Sequence, residues 1–347
     1  ILTKEDVRKN FNQLVENSVM KYYYTASTSG ITGKPLKIKR DLYSIYYENA
    51  NFYRILNWAG YKKGDRIAVI RGDKFKNDFY YYNKLNNRLY ISSFDLSNNL
   101  RKTYDLLKDF NITYIFAYPS SINMICSYII ANDLEEIVLK GIITSSEMVT
   151  KLMRKRAKIA FKSIIYDYYG QAERVSMIQN CEEEEYHLMV DYGAENFRHI
   201  ENDKYEVVST NLFNYAMPFI NYSTGDIVLL NKKKSMCSKK YPVIEKILGR
   251  KSDYVINNGN KVYSPTLTHV FYDMKDNNII QSQFIQNNEE EITLNIIIEN
   301  KNEKGTLDEL RNSLQKYMGD NNITINVCSS LIIKKNGKTP FIINNIK

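Results

Sequence analysis

Cysteine, histidine, proline and tryptophan are all scarce in this chain of 347 residues. The four cysteines, Cys126, Cys181, Cys237 and Cys328, are too few and too far apart for the disulfide framework of a small secreted domain, so a reducing cytoplasm is the default setting. Among the three histidines, His199 and His269 lack a recognisable motif partner, which leaves no Ser-His-Asp or Cys-His hydrolase constellation. No apolar run is long enough to cross a bilayer, no signal peptide is visible and no internal repeat marks a solenoid. A basic stripe is also missing. The net charge is +9, yet lysine and arginine are scattered, and the densest run is Lys232-Lys233-Lys234. That excludes nucleic acid as the expected partner, whereas an anionic small ligand suits the same charge.

The sequence does carry an ordinary globular composition, 44% hydrophobic and 25% charged, on a length that suggests two domains, or three. Asp41 is placed to cap a helix whose apolar face is Leu42, Ile45, Tyr46, Phe52, Tyr53 and Leu56, and which Gly60 ends. Beyond it, strands at 67–70, 114–118, 138–143 and 163–168 alternate with helices at 100–110, 120–130 and 149–161, an α/β layer pattern. After about Gly249 the order becomes β-α-β-β-α-β, with helices at 266–274 and 306–318 and strands at 279–286, 291–299 and 323–327. That suggests a small α+β domain of about 100 residues.

The sharpest motif is Thr25-Ala26-Ser27-Thr28-Ser29-Gly30-Ile31-Thr32-Gly33-Lys34-Pro35-Leu36. Two glycines three apart permit a tight loop whose backbone N–H groups converge on one anion. Thr28, Ser29 and Thr32 add hydroxyls, and Lys34 adds charge. The flanking segments read as strands, so the loop joins two strands and does not open a helix. It is not a Walker A loop, because GxxxxGK[ST] is absent and Pro35 follows the lysine. A Ser/Gly-rich surface hairpin is the alternative.

This segment resembles the phosphate-binding loop of the adenylate-forming superfamily, which includes acyl-CoA synthetases; Ile31 is the one departure from the family pattern. The opening Leu2-Thr3-Lys4-Glu5-Asp6 is similar to the phenylacetate–CoA ligase-like branch, which includes CapK-like proteins encoded with capsule-biosynthesis enzymes. In that branch such a segment lies inside the chain, so roughly 80 residues are expected to precede it. The resemblance implies a large α/β domain of the adenylate-forming type over residues 1–249, then a small mobile α+β domain over 250–347.

Further matches follow in the family's order. Tyr169, Gly170 and Glu173 stand in a YGxxE segment, which implies adenine stacking on Tyr169 and Mg²⁺ on Glu173, with Thr32 as a second magnesium contact. Ser145-Ser146-Glu147 resembles a small-small-Glu segment near the nucleotide. Asp226, in Ser223-Thr224-Gly225-Asp226, could accept both ribose hydroxyls. Gly249-Arg250 resembles the pair that opens the hinge, where Arg250 could reach the ribose or α-phosphate. Ser252 stands where the family has its usual hinge carboxylate. Lys338, in Asn336-Gly337-Lys338, matches the adenylation lysine, which neutralises charge on the α-phosphate and the attacking carboxylate. The Gly30–Gly33 turn and Lys338 are thereby expected to serve one triphosphate.

The resemblance implies ATP-dependent activation of a carboxylic acid as acyl-AMP, with transfer to a thiol such as CoA. An amine or hydroxyl of polysaccharide assembly is the rival acceptor, and a weakened nucleotide-binding scaffold is the rival role. The partners expected are the acid, ATP and the acyl acceptor, with no nucleic acid and no membrane span; a homodimer stays open. Branch members can also hold a structural zinc on residues placed like Cys181, His187 and Cys237. Here the later pair reads Ser235-Met236-Cys237, one thiolate short of four ligands, so a carboxylate would have to substitute. Two buried free cysteines and a surface histidine are the alternative.

Overall fold

The computed structural model describes residues 1–16, 23–28, 35–75, 78–201, 203–230, 235, 237–251, 253–272, 274, 278–298, 303–319, 322–334 and 337–346. The chain forms two compact units, one of Ile1–Tyr61 with Tyr166–Leu248, the other of Lys62–Ile165 with Gly249–Lys347.

In the first unit the strands Tyr24–Ser27 and Lys37–Arg40 pair antiparallel, with Ser27 opposite Lys37. The two flanks of the glycine-bearing segment therefore pair with each other, as the sequence predicts. Asp41 then caps the helix Leu42–Trp58 by accepting from Ser44 N at 2.8 Å. The buried Asp41 carboxylate also takes the Tyr215 and Ala216 N–H groups, which ties this helix to a distant loop. The rest of the unit is sheet, in the order Gly193–Glu201, Lys204–Asn211, Tyr222–Leu230, Val243–Arg250, Tyr186–Leu188, Met177–Asn180 and Ile165–Gly170.

In the second unit, strands Gly141–Ser145, Tyr114–Ala117, Ile67–Arg71 and Arg88–Ser92 run parallel in that order, and Tyr80–Asn83 closes the edge antiparallel. Strands buried on both faces read as continuous apolar runs, which is how Ile67-Ala68-Val69-Ile70 is built. The helices Leu100–Asp109, Pro119–Ala131 and Lys151–Phe161 cover the sheet over a core that includes Ile70, Ile91, Ile115, Ile125 and Phe161. Pro119 itself takes the first helical turn, where its missing N–H costs nothing. The strand expected at 138–143 is shifted to Gly141–Ser145. The N–H groups of Ile137 and Leu139 instead donate to the carbonyls of Ala160 and Phe161, which satisfies the end of the helix Lys151–Phe161.

The remainder of this unit has its own core. A hairpin, Tyr254–Asn257 with Asn260–Tyr263, precedes the helix Ser264–Tyr272. A mixed sheet then runs Ile323–Val327, Ile292–Ile298, Ile279–Gln286 and Ile342–Asn344, and the helix Glu303–Met318 packs on it through Leu310, Leu314 and Met318. The final parallel strand, Ile342–Asn344, was not expected from the sequence. No helix among the described residues is long and apolar enough to cross a membrane.

Candidate active site and candidate metal centre

Strand and turn geometry bring together several of the predicted residues of the first unit. Tyr169 closes the strand Ile165–Gly170 and donates its hydroxyl to Asp226 Oδ2 at 2.6 Å. Gln171 in turn donates its amide to that hydroxyl. Burial, and then the Asp226 carboxylate, push the Tyr169 phenol well above its usual range, so it stays a donor. Thr224 fixes the approach, because its hydroxyl accepts from Asp226 N at 3.0 Å. Glu173 is buried and accepts from the Tyr222 hydroxyl at 2.7 Å, with Lys4 Nζ 4.0 Å away. A lone carboxylate with one oxygen so engaged suits Mg²⁺, which keeps its waters and takes only one or two protein carboxylates. Thr28 joins the ends of the glycine-bearing turn, since its N–H donates to Leu36 O and its hydroxyl accepts from Leu36 N, both at 2.9 Å. Ser29, Gly30, Thr32, Gly33 and Lys34 lie outside the described residues.

In the second unit Lys338, Glu147 and Arg250 form another group. The carboxyl ends of the parallel strands deliver Arg71-Gly72, Ser92-Ser93, Tyr118 and Ser145 to one edge, the edge at which open α/β sheets bind ligands. The Lys338 loop packs there. Lys338 Nζ lies 5.7 Å from the Tyr118 ring centroid, and Ser93 Oγ donates to Gly337 O at 3.4 Å. Gly337 sits at φ +76°, and a Cβ there would come within 2.8 Å of Gly72 Cα. Only glycine gives this approach without strain. Glu147 clamps the loop, accepting from Thr339 N on Oε1 and from Ser120 N on Oε2, each at 3.0 Å. Burial raises the Glu147 carboxyl above its ordinary range despite these donors. Burial lowers Lys338 to about 8; Arg71 and Arg250 add to the shift, and Glu147 opposes it. Ser252 lies outside the described residues, while the adjoining turn is closed by Asp253 N donating to Arg250 O at 3.2 Å. Sequence reading missed Arg71, Ser93, Tyr118 and Ser120. A charged residue ending the run Ile67 to Ile70 was the available signal for the first.

The third cluster lies in the first unit. Ligand atoms of Cys181, Glu185, His187 and Cys237 all fall within 4.8 Å of one another. Cys181 follows the strand Met177–Asn180, His187 sits in its hairpin partner Tyr186–Leu188, and Cys237 precedes the strand Val243–Arg250. Glu185 supplies the carboxylate that the missing thiolate left open. His187 is buried, not at the surface, and its Nδ1 lies 3.2 Å from Tyr241 O; the donor role there leaves Nε2, 3.1 Å from Cys237 Sγ, to act as ligand. Lys239 N donates to Cys237 Sγ at 3.3 Å. Two thiols, an imidazole and a carboxylate converging this closely fit a closed tetrahedral zinc site.

Comparison with known proteins bears on the whole arrangement. Residues 254–345 match the family model described as the CapK C-terminal domain. Protein CapK of Staphylococcus aureus is 26% identical over 360 residues, an alignment covering 100% of this chain and 79% of that protein. A 2-hydroxyisobutyryl-CoA ligase, solved in the postadenylation state with R3-HIB-AMP, superposes with a TM-score of 0.72 at 15% identity, over 99% of this chain and 79% of that one. An anthranilate CoA ligase in complex with anthranoyl-AMP gives 0.59 at 12% identity, over 91% and 65%. The chain thus carries a CapK-type C-terminal domain over residues 254–345, is similar to CapK along its length and has the fold of the CoA ligases it superposes on.

Proposed function

We propose that this protein uses ATP to activate a carboxylic acid as acyl-AMP and then transfers the acyl group to a thiol such as CoA, in the cytoplasm. The observation that carries the reading is Lys338, presented at the carboxyl edge of a parallel sheet by a loop clamped on Glu147. A cation fixed there neutralises charge as the acid's carboxylate attacks the α-phosphorus and pyrophosphate leaves. Asp226 holds the ribose hydroxyls, and the Tyr169 ring, whose hydroxyl is tied to Asp226, stacks on adenine. Arg250 contributes charge beside Lys338, and residues 28–34 with Gly170 cradle the nucleotide. Glu173 and Thr32 would hold Mg²⁺, which would supply charge neutralisation to the phosphates. Cys181, Glu185, His187 and Cys237 hold a structural zinc. Residues 250–347 act as the mobile domain that carries Lys338.

ATP–pyrophosphate exchange over a panel of acids tests the reading. Lys338→Ala should reduce exchange by about 100-fold or more, yet leave transfer from preformed acyl-AMP largely intact. Equal loss of both half-reactions would remove Lys338 from this role. Tight AMP binding with no exchange on any acid would favour a nucleotide-binding scaffold.

A further inference from the structure

We infer that the acid activated by this chain is a dicarboxylic acid whose second carboxylate is received by Arg71. The inference rests on the reading of Lys338 given above and goes on to the class of substrate.

Arg71 ends the strand Ile67–Arg71 at the edge where the Lys338 loop packs. Its guanidinium is held on several sides. The Cζ atom lies 4.1 Å from the Phe116 ring centroid and 4.5 Å from that of Tyr118, and Nη2 donates to Ser145 Oγ at 2.8 Å. Aromatic faces that strip water from a guanidinium and a hydroxyl that sets its plane make a rigid fork, the geometry that binds a carboxylate through two parallel hydrogen bonds. No carboxylate of the described residues forms an ion pair with it. Glu147 is the acid of this edge, but each of its oxygens already accepts a backbone N–H.

Arg71 also stands close enough to Lys338 to disfavour the ammonium charge there. A monocarboxylic acid brings one negative charge, and adenylation consumes it. Arg71, half-buried against two aromatic rings, would then have no carboxylate in its fork. A second carboxylate on the same acid fills that fork with two hydrogen bonds and orients the first toward Lys338. A phosphate could meet the same fork, so the test must separate the two anions.

Exchange is measured with acids matched in length, succinate against butyrate and glutarate against valerate. The diacid should be preferred in kcat/KM. Arg71→Met should cut that preference about 100-fold, the scale of losing a charged hydrogen-bonded pair, with the KM for ATP unmoved. Arg71→Lys keeps the charge without the fork and should retain part of the preference, which controls for misfolding. A preference for monocarboxylates, or a ratio untouched by Arg71→Met, overturns the inference. So does a rise in the KM for ATP shared by every acid, which would give Arg71 to a phosphate. If no acid supports exchange, the adenylation reading fails separately. Calorimetric titration with succinate and butyrate then decides: succinate binding that Arg71→Met abolishes sustains the inference, and equal binding of both acids ends it.

Discussion

Lys338 joins two demands that pull against each other. To neutralise a phosphate it must be protonated, yet burial under its own loop, with Arg71 and Arg250 nearby, lowers its pKa to about 8. The sign of the linkage follows from proton counts. Between pH 8 and the ordinary lysine value of about 10.4, the packed loop binds fewer protons than a released one, so packing strengthens as pH rises through that window. Chemistry moves the other way, because the neutral amine no longer offsets phosphate charge. For acyl-AMP formation, kcat/KM, which reports the free enzyme, should therefore fall as pH rises through about 8. The fall in kcat should come at higher pH, since bound ATP favours the ammonium. Lys338→Arg should carry the alkaline limb out of the measurable range. A profile flat from pH 7 to 10 in the unsubstituted protein would show that Lys338 does not titrate in the rate-limiting species.

At the scale of the element, the hairpin Met177–Asn180 with Tyr186–Leu188 gains its purpose from what its ends hold. Its two short strands are held inside the sheet by Ile165–Gly170 on one side and Val243–Arg250 on the other, so the turn between them is the part left to be fixed. Convergence of Cys181, Glu185, His187 and Cys237 ties its turn to the segment before Val243–Arg250. Purified protein should hold about one zinc per chain, and Cys181→Ser should lose it. Unfolding midpoints should drop by several degrees on chelation in the parent and hardly at all in the variant. Metal content near zero in zinc-supplemented protein would end the assignment. The same element shows what the sequence could tell. Cys181, His187 and Cys237 were visible as metal-ligating types, but Glu185 was one acid in a run of four and only the fold selects it. The pairing of the flanks of the glycine-bearing segment was legible because Leu36-Lys37-Ile38-Lys39 alternates apolar and charged residues and Tyr22-Tyr23-Tyr24 is rich in strand-forming aromatics. Gly193–Glu201 was not, since most of its side chains face solvent and leave no apolar period. Arg71 and Ser93 meet the Lys338 loop across separations such as the 244 residues between Ser93 and Gly337, which no local pattern encodes.

At the scale of the whole molecule, the proposed chemistry asks residues 250–347 to present Lys338 for one half-reaction and withdraw it for the other. Within the second unit the contacts that hold this segment on residues 62–165 are mostly polar. Asn123 Nδ2 donates to Ile280 O at 2.6 Å, Gln281 Nε2 to Ser120 O at 3.3 Å, and Thr339 N to Glu147. Polar contacts of this kind can be given up to water at small net cost, whereas an apolar seam would resist parting. Asn123 is the most committed of them, buried, with its Oδ1 also accepting from Arg156 Nη1 at 3.1 Å. Asn123→Ala removes both bonds, and the loss of the one to Ile280, about 1–3 kcal/mol with that part-buried carbonyl left without its donor, should weaken the packed arrangement by that amount. If Lys338 acts only when packed, ATP–pyrophosphate exchange should fall roughly 10- to 100-fold, while thioester formation from preformed acyl-AMP holds its rate or gains. A proportional fall in both half-reactions would mean that Asn123 supports the fold alone and that the segment need not part from residues 62–165 during turnover.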